Sequence, residues 1–150
     1  MAQLYYEDVQ EGSEIPTLEK LPTTRTLVMW AGASGDFFEL HYDKDFANSM
    51  GFPKVLVHGR LEAAFLTQML TDWIGDRGEL RKLSVQYRGN AFPGDKLLCK
   101  GKVTKKYAEG GENLVECEIW VENPAGQRIT PGTAVVALPG KKSQAKRGKS

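Results

Sequence analysis

From Arg60 to Ile74 the chain reads RLEAAFLTQMLTDWI, fifteen residues without Gly or Pro. Most of them are good helix formers. Leu61, Phe65, Leu66, Met69, Leu70, Trp73 and Ile74 leave only a narrow polar face, so the predicted helix is buried on most sides. Gly75 is a natural stop. At 1.5 Å per residue such a helix is about 22 Å long, enough to cross a sheet.

A helix of this kind needs something wrapped around it. After Gly78 the period changes to two: Leu83, Val85, Tyr87; then Leu97, Cys99, Gly101, Val103; then Val115, Cys117, Ile119, Val121; and a closing TAVVAL. FPGD, EGGEN and NPAGQ are turn sequences between these runs. The expectation is an α+β domain, one long buried helix wrapped by a curved antiparallel β-sheet. A single sheet on a single helix leaves an edge and part of a face uncovered, and dimerisation is the common remedy.

The 150 residues suit one domain, with neither an internal repeat nor an interdomain linker. The domain is read as 1–140, followed by a basic, disordered tail at 141–150. That tail, KKSQAKRGKS, holds five positive charges; the body keeps 15 basic against 19 acidic residues, about −4. A mildly acidic body argues against nucleic acid as a partner. No apolar run approaches the roughly 18 residues of a membrane span. The acidic N-terminus lacks a secretory apolar region, and Cys99 and Cys117 have no metal or redox spacing. The expectation is a reduced, cytoplasmic protein. The first twenty-odd residues, with Gly12, Pro16 and Pro22, read as turn-rich.

Between that segment and the long helix lie two short predicted helices. One runs from the Thr pair at 23–24 to Gly32 or Gly35; the other, KDFANSM, is capped by Asp43 and stopped by Gly51 and Pro53. The loop between them, SGDFFELH, carries Asp36 and His41. An Asp–His pair can hold a water and move its proton at neutral pH. His58, the other histidine, precedes Gly59 at the start of the long helix. The first N–H groups of a helix lack internal partners and carry partial positive charge, a ready site for an oxyanion. Each residue also has a plainer reading. Asp36 suits a turn or cap, His41 suits a structural role, and His58 suits a bond to its own loop. A metal site from Asp36, His41, Asp43 and His58 lacks a recognised ligand spacing.

The stretch WAGASGDFFELHYDKDFANSMGFPKVLVHGRLEAAFL resembles the motif of the MaoC-like (R)-specific enoyl-CoA hydratases and dehydratases. That pattern runs A-x-x-S-G-D-x-N-P-[IL]-H-x-D, then A-x-x-x-G-[FL], then [IV]-x-H-G-[ML]. Ala31, Ser34, Gly35, Asp36, Leu40, His41, Asp43, Ala47, Gly51, Phe52, Val55, His58 and Gly59 match it in order. YYEDVQEGSEIP and the segment around FPGD extend the likeness over residues 5–138. The resemblance implies a hot-dog fold, with sites at the interface of a homodimer or of a hetero-oligomer with another hot-dog chain. It implies reversible hydration of a trans-2-enoyl thioester, with Asp36 and His41 activating one water and the Gly59 amide holding the thioester oxygen. It places His58, Thr67, Ser34 and Phe38 among the substrate-binding residues. It requires no metal or redox cofactor; coenzyme A or an acyl-carrier protein belongs to the substrate.

Two positions depart from the pattern. Phe38-Glu39 replaces Asn-Pro, so this loop is held by apolar packing or Phe38 enters the acyl pocket. Arg60 replaces an apolar residue after His-Gly, where it pairs with Glu39 or a phosphate, or points to solvent. Two other functions remain open. One is a helper subunit that shapes a partner's acyl pocket. The other is a hot-dog thioesterase using Glu62 or Asp72, which leaves the Asp–His spacing unexplained.

Overall fold

The computed structural model describes residues 2–143. Strand β1 (Glu14–Lys20) is followed by helices α1 (Thr24–Ser34), α2 (Lys44–Ser49) and α3 (Gly59–Ile74). Strands β2 (Glu79–Val85), β3 (Leu97–Glu109), β4 (Glu112–Glu122) and β5 (Arg128–Leu138) complete the chain. The sheet order is β1-β3-β4-β5-β2, with every pair antiparallel. The long helix and the sheet around it agree with the α+β hot-dog expectation.

Period-two burial runs through the sheet. Cys99 and Val103 on β3, and Val115, Cys117, Ile119 and Val121 on β4, are at most 1% exposed. They meet Leu66, Met69, Leu70 and Ile74 from α3 in one core. The predicted α3 lacked only its first residue, Gly59, and it ends at Gly75 as expected.

Strand β1 was not legible in the turn-rich opening. Its register with β3 shifts between Ile15 and Leu18, so Pro16 falls in an irregularity on an edge strand. That is where a residue without an N–H is tolerated. Strand β2 lies earlier than its alternation suggested and stops at Val85. Tyr87 leaves the strand and packs its ring beside Gly59 instead.

Lys141–Ser143 form a short 3-10 turn, and Lys141 pairs with Asp8 at 2.5 Å. The rest of the basic tail, 144–150, lies outside the described residues. Among the described residues, no helix is long and apolar enough to cross a membrane.

Candidate active site

Asp36 owes its place to the end of α1. Gly35 caps the helix with φ of 78°, a left-handed conformation that favours glycine, and its N–H donates to Ala31 O. The chain then turns on its own side chains. The Asp36 N–H donates to Ser34 Oγ at 3.2 Å, and the Phe38 N–H donates to Asp36 Oδ1 at 3.3 Å. Ser34 thus holds the turn that aims Asp36. Among the described residues, no protein donor reaches Asp36 Oδ2.

His41 ends the short 3-10 turn Glu39–His41, anchored by buried Leu40. Its Nδ1 lies 2.8 Å from Leu56 O, and the Leu56 N–H donates to Leu40 O. A carbonyl oxygen only accepts, so Nδ1 carries the proton and Nε2 presents a lone pair in the neutral ring. Asp43 caps α2 through the Phe46 N–H, fixing the chain just beyond.

His58 is 1% exposed and stacks on His41, with ring centroids 3.8 Å apart and planes 21° from parallel. Its Nε2 approaches Asp36 O at 3.4 Å, and its Nδ1 is buried without a partner. Burial lowers its pKa, and the neighbouring His41 lowers it further. Each ring bonds a backbone carbonyl: that of His41 is Leu56 O, while His58 reaches across to Asp36 O rather than bonding its own loop, and the two rings are stacked.

One donor atom from each of Asp36, His41 and His58 lies within 4.8 Å of the others. These could be offered to a cation. Nδ1 of His41 and Nε2 of His58 face carbonyls, so each ring keeps one nitrogen for a ligand, and no fourth His, Cys, Asp or Glu joins the group among the described residues.

Gly59 opens α3, and its N–H makes no hydrogen bond among the described residues. A Cβ there would stand 2.9 Å from Tyr87 Cδ1, so the close approach that requires glycine is the tyrosine ring. Thr67 donates to Ala63 O at 3.0 Å, one turn back along its own helix. Phe38 is 45% exposed and packs edge-on against His41 at 6.0 Å and Phe46 at 5.6 Å. Glu39 and Arg60 are exposed, and no salt bridge joins them among the described residues.

Glu62 is 2% exposed and accepts a hydrogen bond from Thr130 at 3.1 Å. Burial pushes its carboxyl up to about 7, against the opposing pull of that bond. Its position on the apolar arc of α3 was a legible signal of burial. The Leu56 carbonyl, Tyr87 and Thr130 carried no such signal, because only the fold brings them to the site. Asp72 lies at the far end of the same helix.

A cleft of about 370 Å³ is lined by Thr24, Tyr42, Lys44, Lys54, Val55 and Pro93, with Tyr42 the residue after His41 in the chain. Both lysines are exposed, and neither is ion-paired among the described residues. A carboxylate, an imidazole lone pair and an unpartnered helix-start amide are together suited to moving a proton beside a developing oxyanion.

Comparison with known proteins places this site in context. Enoyl-CoA hydratase 2, peroxisomal, of Arabidopsis thaliana is 30% identical over 92 residues, which cover 60% of this chain but 28% of that protein. An (R)-specific enoyl-CoA hydratase of Rhodospirillum rubrum is 26% identical over 136 residues, 90% of this chain and 92% of that one. The R-hydratase PhaJ1 of Pseudomonas aeruginosa, in its unliganded form, superposes with a TM-score of 0.83. It is 22% identical and matches 93% of this chain and 88% of its own, a likeness of fold. The MaoC like domain model matches residues 8–122, a span that includes Asp36, His41, His58 and Gly59, and the chain therefore belongs to the MaoC-like domain family.

Proposed function

We propose that the protein reversibly hydrates a trans-2-enoyl thioester to an (R)-3-hydroxyacyl thioester. The observation that carries this is the meeting of Asp36, His41 and His58, with the next residue in the chain, Gly59, presenting an N–H that makes no hydrogen bond among the described residues. One water sits between the carboxylate and the imidazole, donating one hydrogen to each. Its oxygen bonds to C3, and the C2–C3 π pair moves toward the thioester carbonyl. The Gly59 N–H holds the resulting enolate oxygen, aided by the α3 dipole. Asp36 takes one proton from the water and passes it to C2; the other stays on the new hydroxyl, held by His41. Atoms and charge balance, and neither residue changes state over the cycle. The same steps reversed dehydrate the product.

Coenzyme A is the carrier this surface suits, because Lys44 and Lys54 of the 370 Å³ cleft, without an ion pair among the described residues, can meet its phosphates. A homodimer is the assembly we read. Strand β2 is an edge of the sheet, and Leu21, Val28 and Met29 are each more than 60% exposed. The working scheme draws on no metal or redox group. Crotonyl-CoA tests the reaction: hydration removes the enoyl absorbance without releasing thiol. Thiol release with the enoyl absorbance intact would assign the protein to thioester hydrolysis instead.

A further inference from the structure

Helix α3 turns an almost wholly apolar arc toward the sheet, and Glu62 interrupts it. Its carboxyl is buried, and the described protein offers it one hydrogen bond, from the fully buried Thr130 hydroxyl on β5. A carboxylate taken from water needs more than one neutral donor to replace its hydration. Glu62 also stands three residues past Gly59 on the first turn of α3, and Tyr87 links them: its ring packs on Gly59 and feels the Glu62 charge.

Among the groups around Glu62 and Gly59, His58, next to Gly59 and stacked on His41, is held below its ordinary pKa by burial and then by His41. On β3 and β4, Cys99 and Cys117 are both pushed up to about 12 by burial. Tyr87, packed on Gly59, is raised by burial and then by Glu62 itself. Arg60 on α3 is exposed and acts on Tyr87. Lys20 on β1 acts on Cys99 and holds its ammonium over Phe65.

We propose that Glu62 is an electrostatic gate on the oxyanion site. As a neutral acid it leaves the Gly59 amide free to hold negative charge; as a carboxylate it opposes that charge from within the same helical turn. The inference rests on the hydration reading above. Glu62 acts through Gly59 and is a positioning residue, not one that touches substrate. Its carboxyl, pushed up to about 7 by burial, changes state near neutral pH.

The test is a pH profile of kcat/KM for crotonyl-CoA from about pH 6 to 9. It is paired with infrared detection of the protonated carboxyl stretch. The wild type is expected to lose about tenfold as Glu62 ionises, the scale of a unit charge one turn away in a partly screened site. Glu62→Gln keeps the shape and the acceptor for Thr130. It should match the wild type within about twofold at pH 6, lack the neutral-range fall, and lose the infrared band. Thr130→Val removes the donor that favours the carboxylate and should move the midpoint of both signals upward. This second variant keeps the test sound if Glu62→Gln does not fold. An active wild type with no fall, a Glu62→Gln variant with the same fall, or a Thr130→Val midpoint that stays put would overturn the gate alone. A wild type inert toward enoyl thioesters at every pH would overturn the hydration reading, and the gate with it.

Discussion

The imidazole of His41 lies face to face with that of His58, 3.8 Å between centroids. Two stacked rings cannot both carry charge cheaply, and His58 is the one that stays neutral. It is buried, and protonation would add a second N–H at Nδ1 where no acceptor waits. Its folded pKa is below the unfolded value of 6.5, so the unfolded chain binds the proton more readily. Stability from this residue is present above about pH 6.5 and is lost as pH falls below it. Thermal unfolding followed from pH 7.5 down to 5.5 should show the decline, and His58→Gln should flatten it. An equal slope in the variant would assign the decline to another group.

Asp36 and His41 are held by bonds that do not use their reactive atoms. Ser34, the Phe38 N–H and the Leu56 carbonyl hold the positions and leave Asp36 Oδ2 and His41 Nε2 free. Asp36→Asn keeps its turn and His41→Ala leaves a small gap, so neither should unfold the protein. Each is expected to lower kcat for crotonyl-CoA by roughly 10²–10⁴-fold, with circular dichroism unchanged. Near-full activity in either variant would contradict the water-activation scheme.

The sequence carried the helix, the strand run and the Asp–His–Gly constellation because each leaves a local mark. Period four became α3, period two became β3 to β5, and Gly35 and Asp43 marked the ends around the loop. Strand β1 left no such mark, since Pro16 is tolerated only through its edge pairing with β3. The stacking of His41 on His58 and the Thr130 bond to Glu62 join residues seventeen and 68 positions apart. No local pattern encodes such contacts; only packing creates them.

Glu62 also predicts a cost in stability. Its folded pKa of about 7 is above the ordinary carboxyl value of 4.5, so the folded state holds the proton more tightly. Stability from this residue is fully present below about pH 4.5 and is lost as pH rises to about 7. Glu62→Gln should therefore be the more stable protein at pH 8, by up to about 3 kcal/mol, and gain little near pH 4.5. Urea unfolding at the two pH values measures the difference. An equal gain at both would mean that packing, not ionisation, sets the cost.

Phe38 stands where the motif this stretch resembles has Asn, and it braces His41 and Phe46 edge-on. Half-exposed, it should contribute less than a fully buried ring, so Phe38→Ala is expected to cost about 1–2 kcal/mol. With the brace gone, His41 should lose alignment and kcat should fall several-fold. Chain-length preference among enoyl-CoAs should stay as it is. A shifted preference with unchanged stability would place the ring in the acyl pocket.

Lys44 and Lys54 both line the 370 Å³ cleft that Tyr42 and Val55 share, with no acidic partner among the described residues. Exposed charge pairs contribute about 0.2–1 kcal/mol each. Replacing both lysines with Ala should thus raise KM for crotonyl-CoA about three- to tenfold with kcat held, most clearly at low salt. The same change should leave turnover of a crotonyl thioester of N-acetylcysteamine, which has no phosphate, untouched. High salt should erase the difference between wild type and variant on the coenzyme A substrate. Equal losses on both substrates would mean that the lysines support the site itself. No loss on crotonyl-CoA, with a loss on a carrier-protein thioester, would make the carrier protein the natural partner of this cleft.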